Sequence, residues 1–277
     1  MSQSIDFVFI GPQRTGTTWV YKQLKKHQEL CFPKNVKETM FFDQHYEKGL
    51  EWYYWHFRHK SDKQLLGEIA PTYFDEEKVP ERIHSVNVDC KIFITLRNPI
   101  SRAQSLFHHH LRKGRVDRDF SSSIEDIPRI ISAGKYSKHI PRWMNQFGKN
   151  DVHVLLLDDI KNEPKDTLRK ITNLLDIPTI SLDNGIDNKV NPATMPENIT
   201  IAKYGAILAT FLRSKRLHKV VEFGKRLGLK SIFSGREDEL PELSEDNKQE
   251  LLDYYKEDIQ FVENLTGRDL GHWYDLI

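Results

Sequence analysis

The stretch Ile5 to Trp19, IDFVFIGPQRTGTTW, decides the fold of this chain. Five of the six residues from Ile5 to Ile10 are apolar, with Asp6 the exception; Gly11-Pro12 then breaks the run. Thr17-Thr18 opens a segment with apolar residues at Val20, Tyr21 and Leu24, which is helical spacing. The pattern predicts a strand, a loop and a helix from Thr17 to His27. A loop at the N-terminal end of a helix offers unpaired N–H groups and the positive end of the helix dipole, so it suits an anion, and phosphate is the expected guest. Gly11 and Gly16 stand as in the Walker A pattern G-x-x-x-x-G-K-[ST], but Thr17 occupies the lysine position and Arg14 is the loop's cation. The loop can hold a phosphate, yet it lacks the grip on β- and γ-phosphates that a nucleoside triphosphatase needs. Taken alone, the stretch also fits an ordinary buried first strand followed by a Gly-Pro turn and a Thr-capped helix.

The chain has 277 residues, enough for a substantial core, and no linker interrupts it, so one domain over residues 1–277 is expected. Forty-one Lys+Arg balance forty Asp+Glu to a net charge of +1, which gives no global reason to expect nucleic acid or an anionic membrane as partner. Any basic site must be local. Cys31 and Cys90 lie in separate apolar runs and read as buried thiols of a reducing compartment. No apolar run approaches the roughly 20 residues of a membrane helix, and the first strand starts at Ile5, so a soluble cytoplasmic protein is expected.

Further along, Leu30 to Phe32, Leu65 to Ile69, Cys90 to Leu96 and Val152 to Leu157 read as strands, with CKIFITL the apolar run expected of a central parallel strand. Helices are expected over Ile124 to Ala133, Ile140 to Phe147, Lys165 to Leu175 and Gln249 to Leu265, with Pro128 and Pro141 acceptable only in first turns. Strands alternating with helices imply an α/β fold with an open parallel sheet flanked by helices, and a site at the carboxyl ends of the strands. Arg97 stands at the end of the Cys90 to Leu96 strand, where a triphosphatase prefers an acid for magnesium. Glu38 follows the loop closely, and Glu68 sits at a strand end; either is a candidate carboxylate, although a solvated surface charge is the commoner fate of a glutamate. Trp52, Tyr53, Tyr54, Trp55 and Phe57 form an aromatic cluster that suits either an acceptor wall or core packing. Adjacent helical residues point about 100° apart, so His108, His109 and His110 cannot share a metal-ligand face. Lys113 and Arg115 read either as anion partners or as solvated charges. Ser181 to Pro196 is turn-rich and reads as surface, and 199–229 as helical and basic.

These motifs carry a resemblance. PQRTGTTWV resembles the 5′-phosphosulfate loop of sulfotransferases that use 3′-phosphoadenosine 5′-phosphosulfate (PAPS), where a lysine often stands at the position of Arg14. Arg97 and Ser105, eight residues apart, match that family's 3′-phosphate signature. KETMFFDQHYEKGLEWY, Lys37 to Tyr53, is similar to heparan sulfate N- and O-sulfotransferases, whose glutamate before the aromatic pair is the catalytic base. By position that residue is Glu38. Those relatives often carry lysine after the strand-end glutamate, where this chain has Ile69. The resemblance implies the P-loop-like sulfotransferase fold, PAPS as cofactor with no metal, and a carbohydrate or small-molecule acceptor. It implies Glu38 and Arg14 as catalytic residues. It implies cofactor contacts from Arg14, Thr15, Gly16, Thr17, Thr18, Trp19 (stacked on adenine), Arg97, Ser105 and Tyr136, and from Lys189 and Asn191 in a closing loop.

Overall fold

The computed structural model describes residues 4–183 and 240–275. Lys189, Asn191 and the stretch 199–229 lie outside the described residues. Among those described, five strands form a parallel sheet: β1 (Phe7–Gly11), β2 (Leu30–Cys31), β3 (Leu65–Ile69), β4 (Lys91–Leu96) and β5 (Val152–Leu156), in the order β2-β3-β1-β4-β5. The order puts β1 between two parallel neighbours, with Val8 opposite Glu68 and Phe9 opposite Phe93. All of β1 is buried, and its side chains alternate between faces. Val8 and Ile10 join Phe41, Tyr73 and Trp143 on one side, while Phe7 and Phe9 join Trp19, Val20 and Ile171 on the other. A strand covered on both faces needs the continuous apolar run that β1 and β4 have.

The described helices are α1 (Thr17–Leu24), α2 (Phe41–Gln44), α3 (Gly49–Tyr54), α4 (Val79–His84), α5 (Pro99–Leu111), α6 (Phe120–Asp126), α7 (Arg129–Ser132), α8 (Tyr136–Phe147), α9 (Leu157–Asn162), α10 (Pro164–Leu174) and α11 (Glu245–Thr266). Helices α1 and α10 cover one face of the sheet through Leu24 and Leu168, and α4, α8 and α11 cover the other through Ile83, Trp143 and Ile259. No described helix is long and apolar enough to cross a membrane. Within the aromatic cluster, Tyr53 and Phe57 are fully buried in the core and Trp52 is half-buried against it, so packing claims most of that surface.

Several boundaries differ from expectation. Helix α1 stops at Leu24, not His27. The single helix expected over Ile124 to Ala133 is two, because Pro128 has no N–H to donate and occupies the N-cap of α7. Helix α8 starts four residues earlier than expected, so Pro141 lies inside it and not in its first turn. A long-range contact supports the added turn. Asp258 of α11 is fully buried, accepts from Ser137 N at 2.9 Å and Ser137 Oγ at 2.6 Å, and pairs with Lys135 Nζ at 2.6 Å. It satisfies the start of α8 as an N-cap would. Helix α11 likewise begins earlier than expected, at Glu245, where Ser244 Oγ accepts from Asn247 N at 3.2 Å.

One glycine is dictated by sheet geometry. Gly11, at the end of β1, has φ +93°, and a Cβ there would lie 2.6 Å from the Pro71 Cα. Backbone cannot give way as a flexible side chain does. Gly11→Ala is expected to lower stability by about 2 kcal/mol, read as a reduced urea midpoint with an unchanged slope.

Candidate active site

The loop between β1 and α1 turns sharply because two of its residues are left-handed, Arg14 at φ 75° and Gly16 at φ 96°. Gly16 takes this conformation freely, and a Cβ there would approach Leu157 Cδ1 to 2.8 Å. Gly16 is also the N-cap of α1 and has no side chain to satisfy the first amides. Trp19 N donates to Gly16 O at 2.9 Å, so the Thr17 and Thr18 N–H groups are the ones left for a ligand, and an anion is the ligand they favour.

The strand-to-helix turn after β4 supplies the second wall. Asn98 caps α5, its Oδ1 accepting from Ile100 N at 2.9 Å and Ser101 N at 3.2 Å, while its Nδ2 donates to Trp273 O at 2.9 Å. Pro99 at the first helical position completes the turn. This fixes Arg97 before the helix and Ser105 two turns into it. Across 91 residues of sequence, Arg14 Nε donates to Ser105 Oγ at 3.0 Å. Arg14, Gly16, Thr17, Thr18, Trp19, Arg97 and Ser105 all line one cleft, closed on its far side by Leu157, Ile160 and Lys161.

The cleft is positively charged. The arginine ion pairs among the described residues belong to Arg129, Arg142, Arg169 and Arg268, none of them in the cleft. Burial, then the charges of Arg112 and Arg97, lowers the Arg14 guanidinium to about 10, so it remains charged at neutral pH. Burial likewise lowers Arg97. His109 is pushed down to about 2, by burial first and then by Lys113 and Arg14, and is a neutral imidazole. Two arginines with no carboxylate in ion-pair distance among the described residues, beside a helix start that has no side-chain cap, fit a ligand with more than one anionic group.

Three of the expected contacts fall on side chains that the fold itself largely encloses. The Thr15 side chain is fully buried, its Oγ1 donating to Pro12 O at 2.6 Å and lying 2.7 Å from Thr95 Oγ1, so it braces the loop against β4 and has only backbone to offer. Tyr136 is also fully buried, and its hydroxyl donates to Arg97 O at 2.7 Å. It holds the Arg97 backbone and has no surface for a nucleotide. Trp19 is 4% exposed and packs with Val20 and Phe9 in the core, and it also lines the cleft.

Glu38 is linked to the head of α1 through Lys37. Its Oε1 is 3.0 Å from Lys37 Nζ, which is in turn 3.5 Å from Thr17 Oγ1. The main chain of this segment rests on Glu68. The fully buried Glu68 carboxylate accepts from the Thr39 N–H and from Tyr73 OH at 3.2 Å, and the same Tyr73 oxygen accepts from Phe42 N at 3.3 Å. Burial is the largest influence on Glu68 and raises it from 4.5 to about 7, against the hydrogen bonds from Thr39 and Tyr73. With the folded value raised, its contribution to stability is fully present below about pH 4.5 and is lost as pH climbs through about 7. Glu68→Gln should therefore gain on the wild type by on the order of 2–3 kcal/mol between pH 4.5 and 8, measured as the difference in denaturant-unfolding free energy.

Sequence reasoning assigned no role to Lys37, Lys161 or Arg112. Arg112 had a signal, since Ser105, His109 and Arg112 recur at helical spacing along α5 and its C-cap. Lys161 had none, because its place depends on how α9 folds over the loop. A wider groove of about 760 Å³ runs along the outer edge of β5, but its Arg268 is paired with Asp159 and none of the motif residues line it. No group of His, Cys, Asp and Glu among the described residues is arranged to hold a metal ion.

A profile of the family described as "Sulfotransferase domain" matches residues 4–195. Bifunctional heparan sulfate N-deacetylase/N-sulfotransferase 1 of Caenorhabditis elegans is 31% identical over 198 residues, which is 65% of this chain and 23% of that protein. Heparan sulfate glucosamine 3-O-sulfotransferase 5 of Homo sapiens is 29% identical over 185 residues, 62% of this chain and 53% of that protein. The match thus spans about a quarter of the first of these relatives and half of the second. Among solved structures, a sulfotransferase from Alicyclobacillus acidocaldarius aligns with a TM-score of 0.71 at 19% identity, covering 99% of this chain and 100% of that one. At that identity the likeness shows a shared fold.

Proposed function

The chain belongs to the sulfotransferase domain family, and from that premise we propose that it moves the sulfuryl group of PAPS to a hydroxyl or amine of an acceptor, leaving adenosine 3′,5′-bisphosphate. The observation that carries this reading is the 3.0 Å bond from Arg14 to Ser105, which joins the phosphate loop to the helix that follows Arg97 in one cationic cleft. A nucleotide with phosphate at both ends of its ribose needs two such anion sites side by side.

When bound, the donor supplies a sulfur atom whose leaving group is a phosphate. The chain's residues do the rest. The first amides of α1, with the Thr17 and Thr18 hydroxyls, hold the 5′-phosphate, and Arg14 offsets its growing charge. Guanidinium stays protonated, so Arg14 acts as an electrostatic partner and not as an acid. Arg97 and Ser105 hold the 3′-phosphate. Glu38 accepts the proton that the acceptor must lose.

The relatives named for heparan sulfate support a carbohydrate acceptor, and the cations Arg112 and Lys113 near the cleft favour an anionic one. Cys31 and Cys90 are free and buried, which supports a reducing, cytoplasmic setting. Helix α11, beyond the family match, packs on α5 and α8 and supports one domain through 1–277.

Calorimetric titration with adenosine 3′,5′-bisphosphate, adenosine 5′-monophosphate and magnesium-ATP tests the donor. Binding of the bisphosphate at least about tenfold tighter than the monophosphate is expected. A preference for magnesium-ATP would overturn the reading.

A further inference from the structure

Two cations near the head of α1 have different partners. Arg14 donates to Ser105 in the cleft that Arg97 also lines. Lys37 does not line that cleft; its Nζ lies 3.0 Å from Glu38 Oε1 and 3.5 Å from Thr17 Oγ1. Among the described residues it is the cation within ion-pair distance of Glu38. The Lys37 and Glu38 side chains are 22% and 21% exposed, sheltered yet reachable from solvent. Ile69, at the neighbouring strand end, is fully buried among apolar residues and contributes nothing polar.

An acceptor that gives its proton to Glu38 must lie within about 3 Å of that carboxylate. A phosphate at the head of α1 lies against Thr17. The sulfur passes between them, through the space that the Lys37 ammonium spans.

We propose that Lys37 is the cation that contacts the transferring sulfuryl group, which leaves Arg14 to the two phosphates. The inference rests on the PAPS reading above. Lysine suits the post because its ammonium has three donors on a flexible stem: one for Glu38, one for the Thr17 hydroxyl and one for a sulfonate oxygen. In the step itself the acceptor oxygen or nitrogen bonds to sulfur as the bond from sulfur to the phosphate oxygen breaks. The bonding pair leaves with the 5′-phosphate, the acceptor's proton goes to Glu38, and Lys37 keeps its own proton throughout.

The test is a pair of binding measurements that need no acceptor: calorimetry of the full chain with PAPS and with adenosine 3′,5′-bisphosphate, which differ only by the sulfuryl group. Lys37→Met keeps the stem and removes the charge. It is expected to weaken PAPS about tenfold while leaving the bisphosphate within about twofold, with Lys37→Arg recovering part of the loss. Arg14→Ala, by contrast, should weaken both nucleotides. A Lys37→Met protein that loses neither nucleotide, or loses both alike, overturns the assignment, and an unchanged thermal midpoint separates either result from misfolding. Wild-type protein that binds neither nucleotide would overturn the donor reading, and the Lys37 role with it.

Discussion

Glu38→Gln lowers turnover by between about a hundredfold and ten-thousandfold, the range for loss of a positioned general base, while affinity for adenosine 3′,5′-bisphosphate stays within about twofold. The split follows from the geometry. Glutamine keeps the size of the side chain and an oxygen that can accept from Lys37 Nζ, now 3.0 Å away, but it cannot take a proton. The segment around it does not depend on Glu38 for its shape, because the main chain at Thr39 is held by Glu68 and that at Phe42 by Tyr73. On the proposed reading the nucleotide is held by Arg14, Arg97 and Ser105, which line a cleft that Glu38 does not. The measurement is transfer of labelled sulfuryl from PAPS to N-desulfated heparin and to a panel of phenols and sugars, with titration of the nucleotide in parallel. Undiminished turnover would remove Glu38 as the base. Glu68 is the other carboxyl nearby and sits at about 7, but it has no exposed surface from which to reach an acceptor.

The sheet was legible in the sequence because the physics that forms it is local. An apolar run with no period, ended by Gly-Pro or by Asn-Pro, announces a buried parallel strand and the turn that leaves it, and β1 and β4 are placed as expected. Helix ends were less legible where their determinants lie far along the chain. Pro141 stands inside α8 because Asp258, more than a hundred residues later, supplies acceptors for the preceding turn. The site divides in the same way. Gly16, Thr17, Arg97 and Ser105 occupy motif positions, and the fold brings them to one cleft. A motif does not reveal which side chains the fold itself consumes. Thr15 is spent on Pro12 and Thr95, Tyr136 on the Arg97 carbonyl, and Trp19 largely on the core. Nor does the motif that begins at Lys37 announce that the lysine Nζ comes within 3.5 Å of Thr17 Oγ1.

Arg97→Ala weakens adenosine 3′,5′-bisphosphate by about a hundredfold to a thousandfold and adenosine 5′-monophosphate by less than about threefold. The difference between the two ligands is the prediction, since it isolates the 3′-phosphate. Arg97 is a sheltered guanidinium with no carboxylate in ion-pair distance among the described residues, and burial lowers its hold on its proton. A partly desolvated charge in that position gains more from a phosphate than a surface lysine would, because the cost of burying it is already met by the fold. Its backbone is held by the Tyr136 hydroxyl at 2.7 Å and by the capped turn at Asn98, so the alanine variant should keep the turn and lose only the fork. Ser105→Ala removes one hydroxyl donor to the phosphate and should cost about tenfold, less than loss of the arginine fork. Arg97→Lys keeps the charge but not the paired donors, and is expected to fall between wild type and alanine. Calorimetry of the three variants against both nucleotides reads all of these at once. Equal losses for bisphosphate and monophosphate would move the 3′-phosphate away from Arg97 and leave Arg112 or Lys161 as the next cation to examine, since each lies at or beside the same cleft.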